Sequence, residues 1–317
     1  MNYLIVFLVL TVLSVVYIKL ADKLNIIDKP NHRSSHTTPT IRGGGILFYF
    51  AILIYFFYTS FNFPYLILGV SLIAIVSFID DIITLSSSVR LPFQFLAIFL
   101  CMYQLELIHN NFVLLIPILI FGVGFINIYN FMDGINGITG LYSIIVLLGM
   151  YTINLKEYIL DMELIIYPVL SLIVFGFYNF RKKARIFAGD IGSISIAVLI
   201  FFIGILLIKE LKSPIIILLV AVYGTDSILT IIYRKSIGER LTQPHRHHIY
   251  QKLVDKLQVS HLKVSLTYSI LQFFINIIVF LNYKKGLVFQ LSIILIISIT
   301  LSTIYWSVFR KVERIHS

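Results

Sequence analysis

Two adjacent carboxylates, Asp80 and Asp81, follow directly on a long apolar run. If that run is a helix, they sit at its C-terminal end, where the helix dipole is already negative. Something positive has to offset them: a divalent cation, or Arg90 from the start of the next apolar run. Two carboxylates can hold Mg²⁺ or divide the roles of base and ligand; a solvated turn that ends a helix is the alternative. Further on, Asn127, Asn130 and Asp133 recur every three residues and run into Gly134, Gly137 and Gly140. Glycines at that interval favour a tight loop whose backbone N–H groups can meet phosphate or a nucleobase. An Asx-Gly turn between helices would look the same, and Asn136 within it can serve either.

A third segment carries Arg181, Lys182, Lys183 and Arg185, then Phe187, Gly189, Asp190, Gly192 and Ser193. The basic residues alone read as a membrane anchor. The Gly-Asp-x-Gly-Ser that follows puts Asp190 near a helix N-terminus, where carboxylate or phosphate is favoured. Phe187 can stack on an aromatic ring or anchor the chain at the interface. A fourth segment holds His245, Arg246, His247 and His248, suited to diphosphate contacts or proton transfer. Zinc is the rival reading, disfavoured without cysteine or an H-E-x-x-H pattern. The loop with Arg33, His36 and Arg42, ending in Gly43-Gly44-Gly45, is rich in phosphate-compatible groups. Asp226 lies inside an apolar run and either pairs with a basic loop or supports the site. Walker A, G-x-S-x-G and nucleic-acid modules are absent.

The elements that position these groups are membrane helices. Of 317 residues, 59% are apolar and 13% charged, against about 45–50% and about 25% in soluble domains. The mean hydropathy is +0.95. Disorder, collagen and coiled coil do not fit, and a barrel is disfavoured because the runs are continuous rather than alternating. A single cysteine, Cys101, rules out an intramolecular disulfide framework. Runs near the 20-residue length of a spanning helix predict about eleven spans, or ten. They are 4–20, 44–59, 64–79, 91–107, 112–128, 138–153, 164–180, 191–208, 214–233, 262–281 and 287–309. The first lacks a basic n-region and a clear cleavage site, and reads as an uncleaved span. The expected fold is all-α and polytopic, one domain over residues 1–317.

With these spans, Lys156, Lys209, Lys212, Lys284 and Lys285 fall on one side, and every other Lys and Arg of the 25 on the opposite side. The positive-inside rule puts the larger set in the cytoplasm, with the N-terminus external and the C-terminus cytoplasmic. All the polar clusters then share the cytoplasmic face, as one composite site. A transporter or lipid flippase is the competing class, but transporters bind near the bilayer midplane, and only Asp226 lies deep.

Taken in order, four motifs resemble the polyprenyl-phosphate N-acetylhexosamine-1-phosphate transferases of glycosyltransferase family 4. They are Asp80-Asp81 with Arg90 and Gln94, Asn127-x-x-Asn130-x-x-Asp133-Gly134, Phe187-x-Gly189-Asp190-x-Gly192-Ser193, and the His245–His248 cluster. The first loop and Asn130–Gly134 look like the branch that initiates O-antigen; phospho-MurNAc-pentapeptide transfer is the alternative. Many members have a second Asp where this chain has Asn136, which points that residue toward hydrogen bonding with nucleotide or sugar. The resemblance implies transfer of a sugar-1-phosphate, of GlcNAc or a 6-deoxy sugar such as FucNAc or QuiNAc, from a UDP-sugar to undecaprenyl phosphate. UMP leaves, and a cell-envelope glycan begins. It implies Mg²⁺, with Mn²⁺ as a substitute, held by Asp190 with Asp81 close by. Asp80 becomes the base or phosphate-positioning residue and Asp133 a further catalytic acid. Asn127, Asn130, Asp133 and Phe187 would line the nucleotide and sugar pocket. The three histidines, with Arg33, His36 and Arg90, would meet the phosphates. The expected setting is the bacterial inner membrane, with the bilayer and an optional second copy as partners and no nucleic acid.

Overall fold

The computed structural model describes residues 2–30, 38–108, 112–240 and 245–314. Among them are twelve α-helices: α1 (Tyr3–Lys23), α2 (Ile46–Tyr58), α3 (Pro64–Ile82), α4 (Ser87–Gln104), α5 (Phe112–Met132) and α6 (Ile138–Glu157), then α7 (Glu163–Asn179), α8 (Gly189–Leu211), α9 (Ala221–Ser236), α10 (Ile249–Asp255), α11 (His261–Asn282) and α12 (Leu287–Arg314). Each of the eleven predicted apolar stretches falls on a helix. Eight helical segments are long and apolar enough to cross a membrane by length and composition, α2 and α7 are shorter apolar helices, and α4 carries Arg90 and Gln94 in its first turns. The protein is therefore an all-α polytopic membrane protein.

Two local features depart from the sequence expectation. The ninth stretch does not begin as an α-helix: Pro214–Val220 is a 3₁₀ helix and α9 starts only at Ala221. The loop ahead of α2 also carries a small antiparallel hairpin, β1 (Ile27–Asp28) with β2 (Thr40–Ile41), in which Ile27 faces Ile41 and Asp28 faces Thr40.

Burial sorts the helices into a centre and a rim. Helix α8 is apolar on every side, and 83% of its spanning window is buried, as expected of a helix enclosed by others. It packs against α3, α5 and α2. The first and last helices bury only 28% and 17% of theirs. Their exposed Leu4, Leu8, Val12, Val288 and Leu295 form an outer apolar face suited to lipid. At the membrane face remote from Asp80, loops are tied by a few polar bonds. Asp161 accepts from Tyr55 and Asn62, each at 2.9 Å, and Glu157 pairs with Lys284 at 2.6 Å.

Candidate active site

The site is assembled where the start of α8 meets the glycine run before α2. Residues 41–45 and 186–188 lie side by side as parallel backbone. Phe187 N–H donates to the Ile41 carbonyl at 2.8 Å, Gly44 N–H to that of Phe187 at 2.8 Å, and Gly45 N–H to that of Ala188 at 2.9 Å. Glycine is required there: a Cβ on Gly45 would lie 2.2 Å from the Gly192 Cα. At Gly189, φ is +72° and a Cβ would lie 2.4 Å from an Asp81 carboxylate oxygen, so two independent constraints exclude a side chain.

That close approach lets Asp81 cap α8 from another helix. Its Oδ1 accepts from the Asp190 N–H at 2.8 Å, and its Oδ2 from the Ile191 N–H at 3.1 Å. The C-terminal end of α3 thus abuts the N-terminal end of α8, and opposite dipole ends offset the paired carboxylates. Arginines supply the rest of the compensation. Arg42 Nε lies 2.7 Å from Asp81, and its Nη2 lies 3.0 Å from Asp190. Arg90 Nη1 reaches Asp80 at 2.8 Å and Asp190 at 3.1 Å. The result is an alternating ladder, Asp80–Arg90–Asp190–Arg42–Asp81. Burial opposes the Arg42 charge, but Asp81 and Asp190 outweigh it and hold the guanidinium more firmly protonated than usual.

Asn130 joins this ladder. Its amide lies 3.3 Å from Asp190 Oδ2, and Ser193 donates to its carbonyl at 2.8 Å. One turn earlier on α5, Asn127 is engaged elsewhere, donating to Gln94 at 2.8 Å and to the Val123 carbonyl at 2.8 Å. Asp133, just past α5, is half-buried; burial and nearby Asp190 push its carboxyl up to about 6. Asn136 is used structurally: its amide donates to the carbonyls of Arg181 and Lys182 at 3.0 and 3.3 Å. It clamps the basic loop, which leaves it little capacity for nucleotide or sugar.

The histidine segment packs onto the end of α5. Tyr250 donates to the Phe131 carbonyl at 2.8 Å, over Gly134, where a Cβ would meet the Tyr250 hydroxyl. His248 is buried, with Nδ1 3.2 Å from Asp226. Asp226 also accepts from Tyr268 at 2.6 Å and from Ile249 N–H at 3.1 Å. Of its two sequence readings, pairing with the loop is the one seen. His247 bonds Glu239 at 2.9 Å. Burial, then its histidine neighbours, lower His245 to about 3, so it is a neutral imidazole at neutral pH. Phe187 is half-buried, its backbone fixed in both directions by the glycine segment. Arg33 and His36 lie outside the described residues.

Two groups of residues thus come together: Asp80, Asp81, Asp190, Arg90 and Asn130 in the ladder, and the histidines beside the Asp133 loop. Sequence reasoning placed Arg42 in a phosphate-compatible loop and Ser193 in a motif, but gave neither a role in the site. The available signal for Arg42 was its place immediately before three glycines.

Among the described residues, no three His, Cys, Asp or Glu side chains form a ready metal cage. Mg²⁺ asks for less: one or two carboxylates plus substrate phosphate oxygens. Asp80 and Asp190, sharing Arg90, fit that hard-oxygen requirement. Asp81 fits it less well: all three carboxylates hold donors on both oxygens, but the Asp81 side chain is 0% exposed, against 6% for Asp80 and 12% for Asp190, and it holds the first N–H groups of α8.

Residues 63–208 match the glycosyl transferase family 4 model, the stretch that runs from α3 through most of α8. Along 89% of the chain, it is 26% identical to a probable undecaprenyl-phosphate N-acetylglucosaminyl 1-phosphate transferase of Bacillus subtilis, covering 80% of that protein. A phospho-N-acetylmuramoyl-pentapeptide-transferase of Streptococcus pneumoniae is 28% identical over 69% of the chain and 76% of its own length. The same enzyme of Streptococcus gordonii is 32% identical over a shorter stretch, 46% of the chain and 45% of that protein. With the motifs in order and the ladder built from them, the chain is similar to glycosyl transferase family 4 over residues 63–208.

Proposed function

We propose that this protein transfers an N-acetylhexosamine-1-phosphate from a UDP-sugar to undecaprenyl phosphate, releasing UMP and starting a cell-envelope glycan such as O-antigen. The observation that carries the reading is the Asp80–Arg90–Asp190–Arg42–Asp81 ladder at the helix ends. Two guanidiniums held by carboxylates can be transferred to phosphate oxygens when substrates arrive. A lipid phosphate oxygen forms a bond to the sugar-bearing phosphorus while the bond from that phosphorus to the UMP oxygen breaks. Catalysis of this kind is mostly positioning and charge stabilisation. Arg42 and Arg90 hold the anionic groups in line. Asp80 orients Arg90, and Asp81 fixes the start of α8 and therefore Asp190. Mg²⁺, when bound, neutralises the diphosphate; Asp80 and Asp190 would hold it. Phe187, Asn130 and Asp133 border the nucleotide, and His245 offers a neutral N–H donor to phosphate.

A second reading, transfer of phospho-MurNAc-pentapeptide, is favoured by the streptococcal relatives. Purified protein with undecaprenyl phosphate and a panel of UDP-sugars separates the two. Turnover of a UDP-N-acetylhexosamine without the peptide is expected, abolished by excess EDTA and reduced to a trace in Asp190→Asn. Turnover only with the UDP-MurNAc-pentapeptide favours the second reading, and full turnover in EDTA removes the metal from both.

A further inference from the structure

A second basic feature lies beside the hairpin that precedes Arg42. An open groove of about 540 Å³ runs between the last turns of α1, the β1–β2 hairpin and the loop after α7. That size is within the range of small-ligand sites. Lys19 from α1 and Arg185 from the loop line it, and among the described residues neither has an ion-pair partner. Val15 and Ile18 form its wall on α1. Val15 continues into the exposed apolar face of Val12 and Val16, so the groove opens toward the face suited to lipid. The Tyr178 ring closes the back, held by a 3.1 Å bond between its hydroxyl and Ser14. Asp22 is the one acid in the lining.

We propose that this groove binds the headgroup of an anionic bilayer phospholipid, with the phosphate between Lys19 and Arg185 and an acyl chain along Val15 and Ile18. Charge complementarity selects an anion, and the apolar wall leading to the bilayer face selects one that carries acyl chains. Basic pockets at the ends of membrane helices have the chemistry for such headgroups. Ile41 also lines the groove; its carbonyl holds Phe187, and its neighbour Arg42 bridges Asp81 and Asp190. An occupant therefore braces the strand that carries Arg42.

The test uses the full-length protein in phosphatidylcholine nanodiscs titrated with phosphatidylglycerol, read by native mass spectrometry and by the thermal unfolding midpoint. Wild type is expected to retain phosphatidylglycerol in preference to phosphatidylcholine and to be stabilised by it. Lys19→Ala/Arg185→Ala should weaken that preference by about 25-fold, at roughly a factor of five for each cation. Lys182→Ala/Lys183→Ala removes the same amount of charge from the loop that carries Arg185, at residues that do not line the groove, and should change little; Asp22→Asn should tighten binding. Equal losses in the two double variants would reduce the effect to diffuse surface charge and overturn the site. Equal stabilisation by soluble glycerol phosphate would overturn the lipid as ligand. An unchanged phosphatidylglycerol preference with a raised KM for undecaprenyl phosphate would assign the groove to the substrate instead. If the double variant does not fold, Lys19→Gln carries the same comparison.

Discussion

Replacing Asp81 by asparagine separates two roles that a carboxylate in this position can have. The side chain keeps its shape but loses one acceptor and its charge. Asp81 now receives the Asp190 N–H at 2.8 Å, the Ile191 N–H at 3.1 Å and Arg42 Nε at 2.7 Å. With an amide, an N–H₂ group must face one of these donors. One buried donor is left unmatched, at about 1–3 kcal/mol, and the surviving bonds lose the strengthening that charge provides. The total, about 3–5 kcal/mol, matches what removing one partner of a buried ion pair does. Even the lower figure shifts the folded-to-unfolded ratio by more than a hundredfold. Equilibrium unfolding of purified Asp81→Asn in detergent should therefore show a clearly lowered midpoint, while the folded fraction keeps a near-normal Mg²⁺ requirement. Asp190→Asn should do the reverse, raising the Mg²⁺ requirement more than it lowers stability. If Asp81→Asn unfolds like wild type and only its metal requirement rises, the capping argument is wrong and Asp81 is a ligand.

Phe187→Ala should weaken UDP-sugar binding about 5- to 150-fold if the ring stacks on uracil, by the 1–3 kcal/mol of base–aromatic contacts, with Phe187→Trp retaining much of it; equal nucleotide affinity in Phe187→Ala, measured calorimetrically, rejects stacking. Asp133 has its folded pKa raised to about 6, so the stability it contributes is full below its ordinary value near 4 and is lost as pH climbs through about 6. Asp133→Asn should consequently be more stable than wild type above neutral pH, measured by equilibrium unfolding at pH 5 and pH 8. Asp226→Ala should loosen the histidine segment, seen as faster proteolysis near residue 240 with the helices intact. Cys101 is buried, so a cysteine added at position 183 should label from the cytoplasm and one at 158 from outside; the opposite pattern inverts the proposed orientation.

The helices were legible because continuous apolar runs need no tertiary information to be recognised. What hydropathy could not reveal is backbone type: Pro214–Val220 is as apolar as its neighbours, yet it winds as a 3₁₀ helix. The residue types of the site were also legible, since Asp80, Asp81 and Asp190 each stand at the edge of an apolar run. Their partners were not, because pairing depends on which helix ends meet. Asp81 and Asp190 are distant in the chain and meet because Gly189, without a side chain, leaves room for the Asp81 carboxylate at the start of α8. For the same reason Asp226 could not be matched to His248 in advance, and Asn136, read as a ligand for substrate, is a clamp on the loop at Arg181. A pattern of types and spacings names the groups able to do chemistry; it does not say which of them are already occupied by one another.

The parallel backbone pairing of residues 41 and 186 has a consequence for membrane topology that is independent of charge. Two loops can touch only on the same side of a bilayer, so the chain must cross an even number of times between them. The bond between Ile41 and Phe187 therefore applies a parity rule to everything from α2 through α7. On the other face, the bond from Asn62 to Asp161 applies the same rule from α3 through α6, and Lys284 with Glu157 applies it from α7 through α11. With the seven-residue α10 set aside as too short to cross, no single helix within these intervals can be reassigned as non-crossing on its own. Helix α4, the least convincing span by composition, must cross if α3, α5 and α6 do, and any error in the count from α2 through α11 has to come in pairs.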